Sequence, residues 1–335
     1  MQARIVSEAA RKGFQTLYYY IRNVAQFIEA EYGQDPCERY GNIYSATKAL
    51  TGSVKPRRIA ELGTVRRYLK AGITNLICLQ READAEDFFE EKNAWTPVQG
   101  WYAVHSLMCG LAPYISPGVK VDHDRSCGNA RQLICDRKLL PYPWAAYTMG
   151  GFEDKKRVDT PVNFRRAPVS VSNLRAPTVD SFEDSYALFL ATTLKKRAER
   201  RIAEINNRPL KGRMRRNISS GVRDSLFRAA GPVTLFDALY RLRIRANYGN
   251  LDTFVEGCES VSEAQAFAGA LHVVIDATVA TLESVLVAYA GDHLLVSTLE
   301  DMERRVGDDS TIAVRLAFHR DTDGSGFARR TAQHH

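Results

Sequence analysis

Apolar residues recur along this chain at intervals of three and four, and strict two-residue alternation is hard to find. That periodicity belongs to helices with one buried face, so the sequence predicts a mostly α protein. Leu17, Ile21, Val24, Ile28 and Tyr32 mark a first helix over 2–33. Residues 34–58 contain Gly, Pro and a Lys-Pro-Arg-Arg stretch, and read as a linker with a short helix over 43–50. Leu62, Val65, Leu69, Ile73, Leu76 and Ala83 predict a long helix over 59–92. The next helix follows Pro97 and stops at Pro113. Residues 138–180, rich in Pro, Gly and aromatics, predict an irregular excursion with a short hairpin over 157–171, and helical spacing returns over 181–206. A capping box, Ser262-x-x-Gln265, opens a closing helix that Gly291 ends. Past Val306 the chain is polar and Gly-rich, which predicts a frayed tail.

The stretch Phe236–Gly257 organises these pieces. A helix over 235–247, stopped at Gly249, gathers Phe236, Leu239, Tyr240, Leu242, Ile244 and Ala246 on one face at about 100° per residue. Arg243 and Asn247 fall within that face, and Arg241, Arg245 and Tyr248 fall opposite. A guanidinium in an apolar stripe loses water unless a carboxylate, phosphate or carbonyl meets it. Arg243 therefore either closes a core ion pair or marks a functional cleft. On the closing helix, Gln265, His272, Asp276 and Glu283 lie within about 40° of one another. This stripe is a solvated face, or else Asp276 or Glu283 meets Arg243.

Charge sharpens the picture. The 335 residues carry 46 basic and 39 acidic side chains, a net +7. Between Lys195 and Arg228 stand twelve basic residues and three acids, so that segment holds +9 and the remaining 34 basic and 36 acidic residues sum to −2. Lys195, Lys196, Arg197, Arg200, Arg201, Lys211, Arg213, Arg215 and Arg216, interleaved with Pro209, Gly212 and Gly221, suit phosphate contacts from an arm. The acids Glu82, Asp84, Glu86, Asp87, Glu90 and Glu91, near a predicted helix C-terminus, are a competing partner for it. Six cysteines without CxxC spacing read as buried thiols of a reducing compartment, with the cytoplasm as default. No signal peptide is expected at the start. The longest apolar run, 264–290, is broken by His272, Asp276 and Glu283, which suits a core helix and not a membrane span.

Candidate chemistry is sparse. His105 sits among apolar neighbours as a structural histidine. His123 lies between Asp122 and Asp124, which are expected to raise its pKa and favour a charged or hydrogen-bonded ring near a site. No third or fourth metal ligand stands at useful spacing, so no metal or cofactor is expected. Phosphate-cradling Gly loops and nucleophile elbows are missing, which argues against nucleotide hydrolases and α/β-hydrolases. Tyr18-Tyr19-Tyr20 reads as a core or dimer contact before a stacking surface for nucleic acid.

Trp101-Tyr102-Ala103-Val104-His105, His123 in its polar loop, LYRLRIRANYGNLD and Val261-Ser262-Glu263-Ala264 together resemble motifs of the HEPN superfamily (higher-eukaryote and prokaryote nucleotide-binding helical domains). The resemblance spans 60–137 and 234–300. It implies an antiparallel four- or five-helix bundle, with a helical extension over 1–59, an insertion over 138–233 and a C-terminal segment over 301–335. Catalytic members are metal-independent ribonucleases with Arg-x4-6-His, in which the arginine stabilises phosphate charge and the histidine handles the 2′-hydroxyl proton. Here the motif reads Arg243-Ile-Arg-Ala-Asn-Tyr248, with Tyr in place of His. The resemblance thus implies an RNA- or nucleotide-binding protein in the style of toxin–antitoxin or phage-defence components, commonly a homodimer. Its site would be Arg243, Arg245, Asn247, Tyr248 and His123, with cleavage weak or absent. The alternative is a non-catalytic module that docks on a partner protein such as a nucleotidyltransferase or an ATPase.

Overall fold

A computed structural model describes residues 7–57, 59, 61–84, 89–148, 182–206, 209–210, 213–214, 219–249, 251–307 and 309–322. Side chains are not described at 82–84, 89–91, 183–184, 205–206, 209–210, 213–214, 220, 223–224, 227–228, 248–249, 251 and 321–322. The architecture is mostly α. The central element is α10 (Val261–Ala290), buried on most of its circumference and packed against α1 (Glu8–Tyr32), α2 (Pro36–Thr51), α3 (Leu62–Asp84) and α4 (Phe89–Ile115). By length and hydropathy α10 could cross a membrane, but 78% of that stretch is buried inside the protein, as in a core helix. Thr278, Thr281 and Ser284 lie in its buried run, and each hydroxyl donates to the carbonyl four residues earlier. The helix starts at Ser260, whose hydroxyl accepts from the Glu263 amide at 3.2 Å, two residues before the expected cap at Ser262. Gly291, at φ 84°, ends it as expected.

The apolar stripe Leu17, Ile21, Val24 and Ile28 of α1 is buried against α10 and α6 (Phe182–Asn206). Residues 36–51, read as mostly linker, form a full helix because Asp35 caps it and Pro36 opens it. α3 and α4 pack closely where a Cβ on Gly72 would lie 2.0 Å from Leu107 Cδ2. α4 begins eight residues before Pro97 and runs through it to Ile115, contrary to the boundary expected there. Its first turns are held by tertiary contact: the buried Asn93 Nδ2 donates to the Phe254 carbonyl at 2.8 Å.

One hydrophobic cluster takes members from α1 through α12 (Ser310–Thr322), including Phe14, Trp101, Phe236, Leu286 and Phe318. The N-terminal extension and the segment past 301 thus share the core of the proposed bundle. α12 replaces the tail expected beyond Val306, because Arg315 anchors it. Its Nε donates to Glu283 Oε2 and its Nη2 to Asp276 Oδ1, both at 2.9 Å, with the guanidinium 5.1 Å from the Tyr40 ring. Burial opposes the charge of Arg315, but Glu283 and then Asp276 raise its pKa overall. Asp276 and Glu283 therefore meet Arg315, not Arg243.

Cys109, Cys127 and Cys258 are buried, whereas Cys37 and Cys135 are half-buried and Cys78 is exposed, correcting the expectation of six buried thiols. The hairpin read at 157–171 and the tail past 322 lie outside the described residues. The same holds for the side chains of the 82–91 acids.

Candidate nucleic-acid interface

Three helices frame the candidate site: α5 (His123–Arg131), α6, and α8 (Leu235–Ile244), which follows a short strand at Val233–Thr234. The backbone N–H and hydroxyl of Thr234 both donate to Asp237 Oδ2 at 3.0 Å, closing a capping box at the start of α8. Asp237 Oδ1 accepts from Arg131 of α5 at 2.8 Å and Arg197 of α6 at 3.3 Å. A single carboxylate, 8% exposed, thus ties all three helices together. Two guanidiniums share it, so one positive charge is left over. Burial and the Arg131 charge lower the Arg197 pKa in spite of Asp237.

Between these helices opens a groove of about 420 Å³. Arg131, Lys196, Arg197, Arg200, Arg201 and Arg241 face three carboxylates, Asp124, Glu204 and Asp237. Arg200 pairs with Glu204 at 3.2 Å and Lys196 with Glu199 at 2.8 Å, but all four are well exposed, so these pairs exchange readily for other anions. Arg201 donates to the Ala229 carbonyl at 2.7 Å.

Tyr240 borders the groove and joins it to a second cluster. Its ring stacks on His123 at 5.5 Å and meets Trp101 at 5.1 Å. Trp101 and His105, one turn apart on α4, share a face and stack at 6.1 Å. Asp122 caps α5 by accepting from the Arg125 amide at 2.7 Å, which places His123 in the first turn beside α4. The His105 and His123 rings are 4.3 Å apart. Trp101 Nε1–H donates to His123 Nδ1 at 3.0 Å, so neutral His123 carries its proton on Nε2. His105 Nδ1 lies 2.7 Å from Ser126 Oγ. Behind the rings Arg243, 7% exposed, donates to Tyr102 Oη at 3.3 Å.

Burial, then His123 and Arg243, push His105 down to about 4 against the pull of Asp122. Burial and Arg243 also lower His123, outweighing Asp122 and Asp124. This reverses the expectation of a raised His123: flanking acids act from the solvent side, while the arginine and apolar rings act from within. Burial raises Cys109 to about 11, so this thiol is protonated and no nucleophile at neutral pH. Among the described residues no group of His, Cys, Asp and Glu forms a metal-ligand set.

The structure brings His123 and Arg243 together, and places Lys196, Arg197, Arg200 and Arg201 along the groove. Lys195 points into solvent near Glu199. Asn247, expected beside Arg243, is exposed, because 245–249 winds as a π-turn and the regular helical step fails there. Arg245, expected on the outer side with Arg241, is half-buried, as is Arg241. The side chains of Tyr248, Lys211, Arg213, Arg215 and Arg216 lie outside those described. Sequence reasoning missed Arg131, Asp237, Tyr240 and Ser126. A Thr-x-x-Asp box at 234–237 was the one visible signal among them. No protein-family model matches this chain, and neither a curated protein nor a solved structure matches it.

Proposed function

We propose that this protein binds RNA, with the phosphate backbone of a single strand lying in the groove between α5, α6 and α8. The observation that carries this reading is the continuity of the cationic groove, through Tyr240, with the cluster of aromatic and imidazole rings. Excess cations hold phosphates by releasing counterions, and partly exposed rings give bases a surface to stack on. Within the cluster, His123 is half-buried and is the group a strand reaches, while burial and then the field of Arg243 keep the ring neutral. A neutral imidazole beside a phosphodiester can relay the 2′-hydroxyl proton without a metal. In this proposal the fold is a HEPN-like bundle and the protein is a cytoplasmic homodimer of a toxin or phage-defence system.

The test uses the full chain and a fluorescein-labelled single-stranded RNA of about 20 nucleotides. Saturable binding, weakened about tenfold or more by Arg200→Gln with Arg201→Gln, is expected. Absence of binding at low salt would sink the reading. Incubation with EDTA then assigns cleavage: products lost in both His123→Ala and Arg243→Ala make the cluster a ribonuclease site, and intact RNA leaves the protein a binder.

One observation favours the alternative, a docking module. Lys195, Lys196 and Arg200 are already met by Glu199 and Glu204, as on a surface built to exchange one set of carboxylates for another. A stable complex with an acidic protein, formed by a chain that ignores RNA, would favour that reading.

A further inference from the structure

Among the buried and half-buried arginines, three sets are neutralised differently. Arg315 meets two carboxylates, and Arg131 and Arg197 share one. Arg241 and Arg245 form the third set. They stand four residues apart at the end of α8 and in the π-turn after it, and among the described residues neither forms an ion pair with a carboxylate. Arg241 Nη1 donates to Thr192 Oγ1 at 2.9 Å and Thr193 Oγ1 at 3.1 Å. Those hydroxyls orient the guanidinium but leave its charge intact. Arg245 lies along α1, its Nη2 3.9 Å from the position a Cβ on Gly13 would take. Two turns further along α1, Tyr20 stacks on Phe189 of α6 at 5.2 Å and closes the wall. Burial raises the Tyr20 phenol although Arg241 and Arg245 pull it down, so the hydroxyl is neutral and cancels neither charge.

The result is a junction of α1, α6 and α8 that holds two like charges with no carboxylate in contact among the described residues; Glu199, exposed and shared with Lys195 and Lys196, pulls on Arg241 only from a distance. Burial and Arg245 push the Arg241 guanidinium down to about 10, and burial lowers Arg245 as well. Both stay charged at neutral pH. Like charges four residues apart on one helix repel, and partial burial strengthens the repulsion. Among the described residues no carboxylate contact repays that cost, whereas a doubly charged anion bound by the two forks would. Arg241 and Thr193 also border the groove, so the Arg241 side of the junction opens to solvent.

We infer that Arg241 and Arg245, with Thr192, Thr193 and Tyr20, form a binding site for a phosphate dianion, the chemistry of a phosphate monoester. A free nucleotide 5′-monophosphate and the 5′-phosphorylated end of an RNA strand both present it. Only the strand-end version rests on the RNA-binding proposal.

The full chain is melted in buffers of equal ionic strength containing chloride or inorganic phosphate. Phosphate binds the folded chain alone and raises its Tm. That rise is expected in the wild type and is abolished in Arg241→Gln and Arg245→Gln. Without phosphate, Arg245→Gln melts at or above the wild type, since a repelling charge has been removed. A structural strut would instead melt lower. Two further ligands assign the source. Adenosine 5′-monophosphate that raises Tm as phosphate does, and is blind in the variants, marks a free-nucleotide site. An RNA that binds about tenfold tighter with a 5′-phosphate than with a 5′-hydroxyl, with the difference erased by Arg245→Gln, marks strand-end recognition. A wild type indifferent to phosphate overturns the inference, as does a variant that responds like the wild type, or an Arg245→Gln that melts well below it without ligand. If phosphate acts but no RNA binds, the RNA proposal falls and this site stands. If RNA binds but phosphate has no effect, this site falls alone.

Discussion

Replacing Arg200 and Arg201 together by Gln removes two of the six cations bordering the groove, where three carboxylates leave a net charge of three. Each phosphate neutralised on a single strand contributes about −0.7 to the slope of log K against log salt, so three predict a slope of about −2. Between about 50 and about 200 mM NaCl the affinity then falls roughly 20-fold. Were all six cations engaged and their carboxylates released, the slope would steepen to about −4 and the fall to roughly 300-fold. The double variant retains a net charge of about one, a slope near about −0.7 and a roughly 3-fold fall over the same range. Among the described residues Arg200 forms an exposed pair with Glu204 and the half-buried Arg201 donates to the Ala229 carbonyl, so little of the fold depends on them. Fluorescence anisotropy at four or more salt concentrations measures both slopes, with circular dichroism as a check on folding. A wild-type slope flatter than about −1, or equal slopes for the two proteins, would refute the assignment of the groove to phosphates.

Other outcomes test the fold and the cluster. Arg315→Met leaves Glu283, 0% exposed, without its counter-charge and should cost about 3–5 kcal/mol in urea unfolding. Replacing Arg315, Glu283 and Asp276 together by apolar residues should cost much less, which separates a stranded charge from lost packing. His105, at about 4 instead of the ordinary 6.5, refuses a proton that the unfolded chain accepts, so stability is full above pH 6.5 and is lost as pH falls toward 4. The full difference corresponds to about 3 kcal/mol, and partial exposure of the ring reduces it to about 1.5 kcal/mol. His105→Gln should flatten unfolding curves across that window, and an unchanged pH profile would contradict the assignment. Gly257→Ala sets a Cβ 2.3 Å from the Thr253 carbonyl and 2.6 Å from the Ala10 carbonyl. Backbone must move, so a loss of about 1–3 kcal/mol or more is expected in thermal unfolding.

Periodicity was enough to read the helical class and most helix cores. Val65, Leu69, Ile73 and Leu76 all prove fully buried, as their spacing implies. Boundaries were less legible where long-range contact overrules a local signal. Pro97 argues for a helix start, but Asn93 is fixed by the Phe254 carbonyl, 161 residues away, and the helix starts earlier. The segment 310–322 looks polar because its decisive residue is a charged one. Arg315 becomes an anchor only when Asp276 and Glu283 are brought to it. A helical wheel cannot foresee a π-turn, so Asn247, inward on the wheel, is exposed, while Ala246 is buried and Arg245 stays with Arg241 as the wheel has them. Arg243 was found because a cation in an apolar stripe stands out. Asp237 does not stand out in the sequence, because an acid in the first turn of a helix is commonplace and its ties to Arg131 and Arg197 are invisible in one dimension.

Compensation of buried cations changes with place in this protein, and the change links stability to function. In the core, Arg315 has more than one carboxylate, and its role is to hold α12 on α10. At the frame of the groove, Asp237 serves two arginines and the α8 cap at once, so the scaffold is held with one charge to spare. At the junction beside it, Arg241 and Arg245 have hydroxyls alone or no polar partner among the described residues. Positive charge is thus balanced by carboxylates where α12 is held on α10 and left over where α5, α6 and α8 open to solvent. A sequence shaped only for stability would place carboxylates in contact with Arg241 and Arg245, but among the described residues the contacts are Thr192 and Thr193, and Glu199 acts on Arg241 only from a distance. The unmet charge is most simply accounted for by an anion that comes from outside the chain.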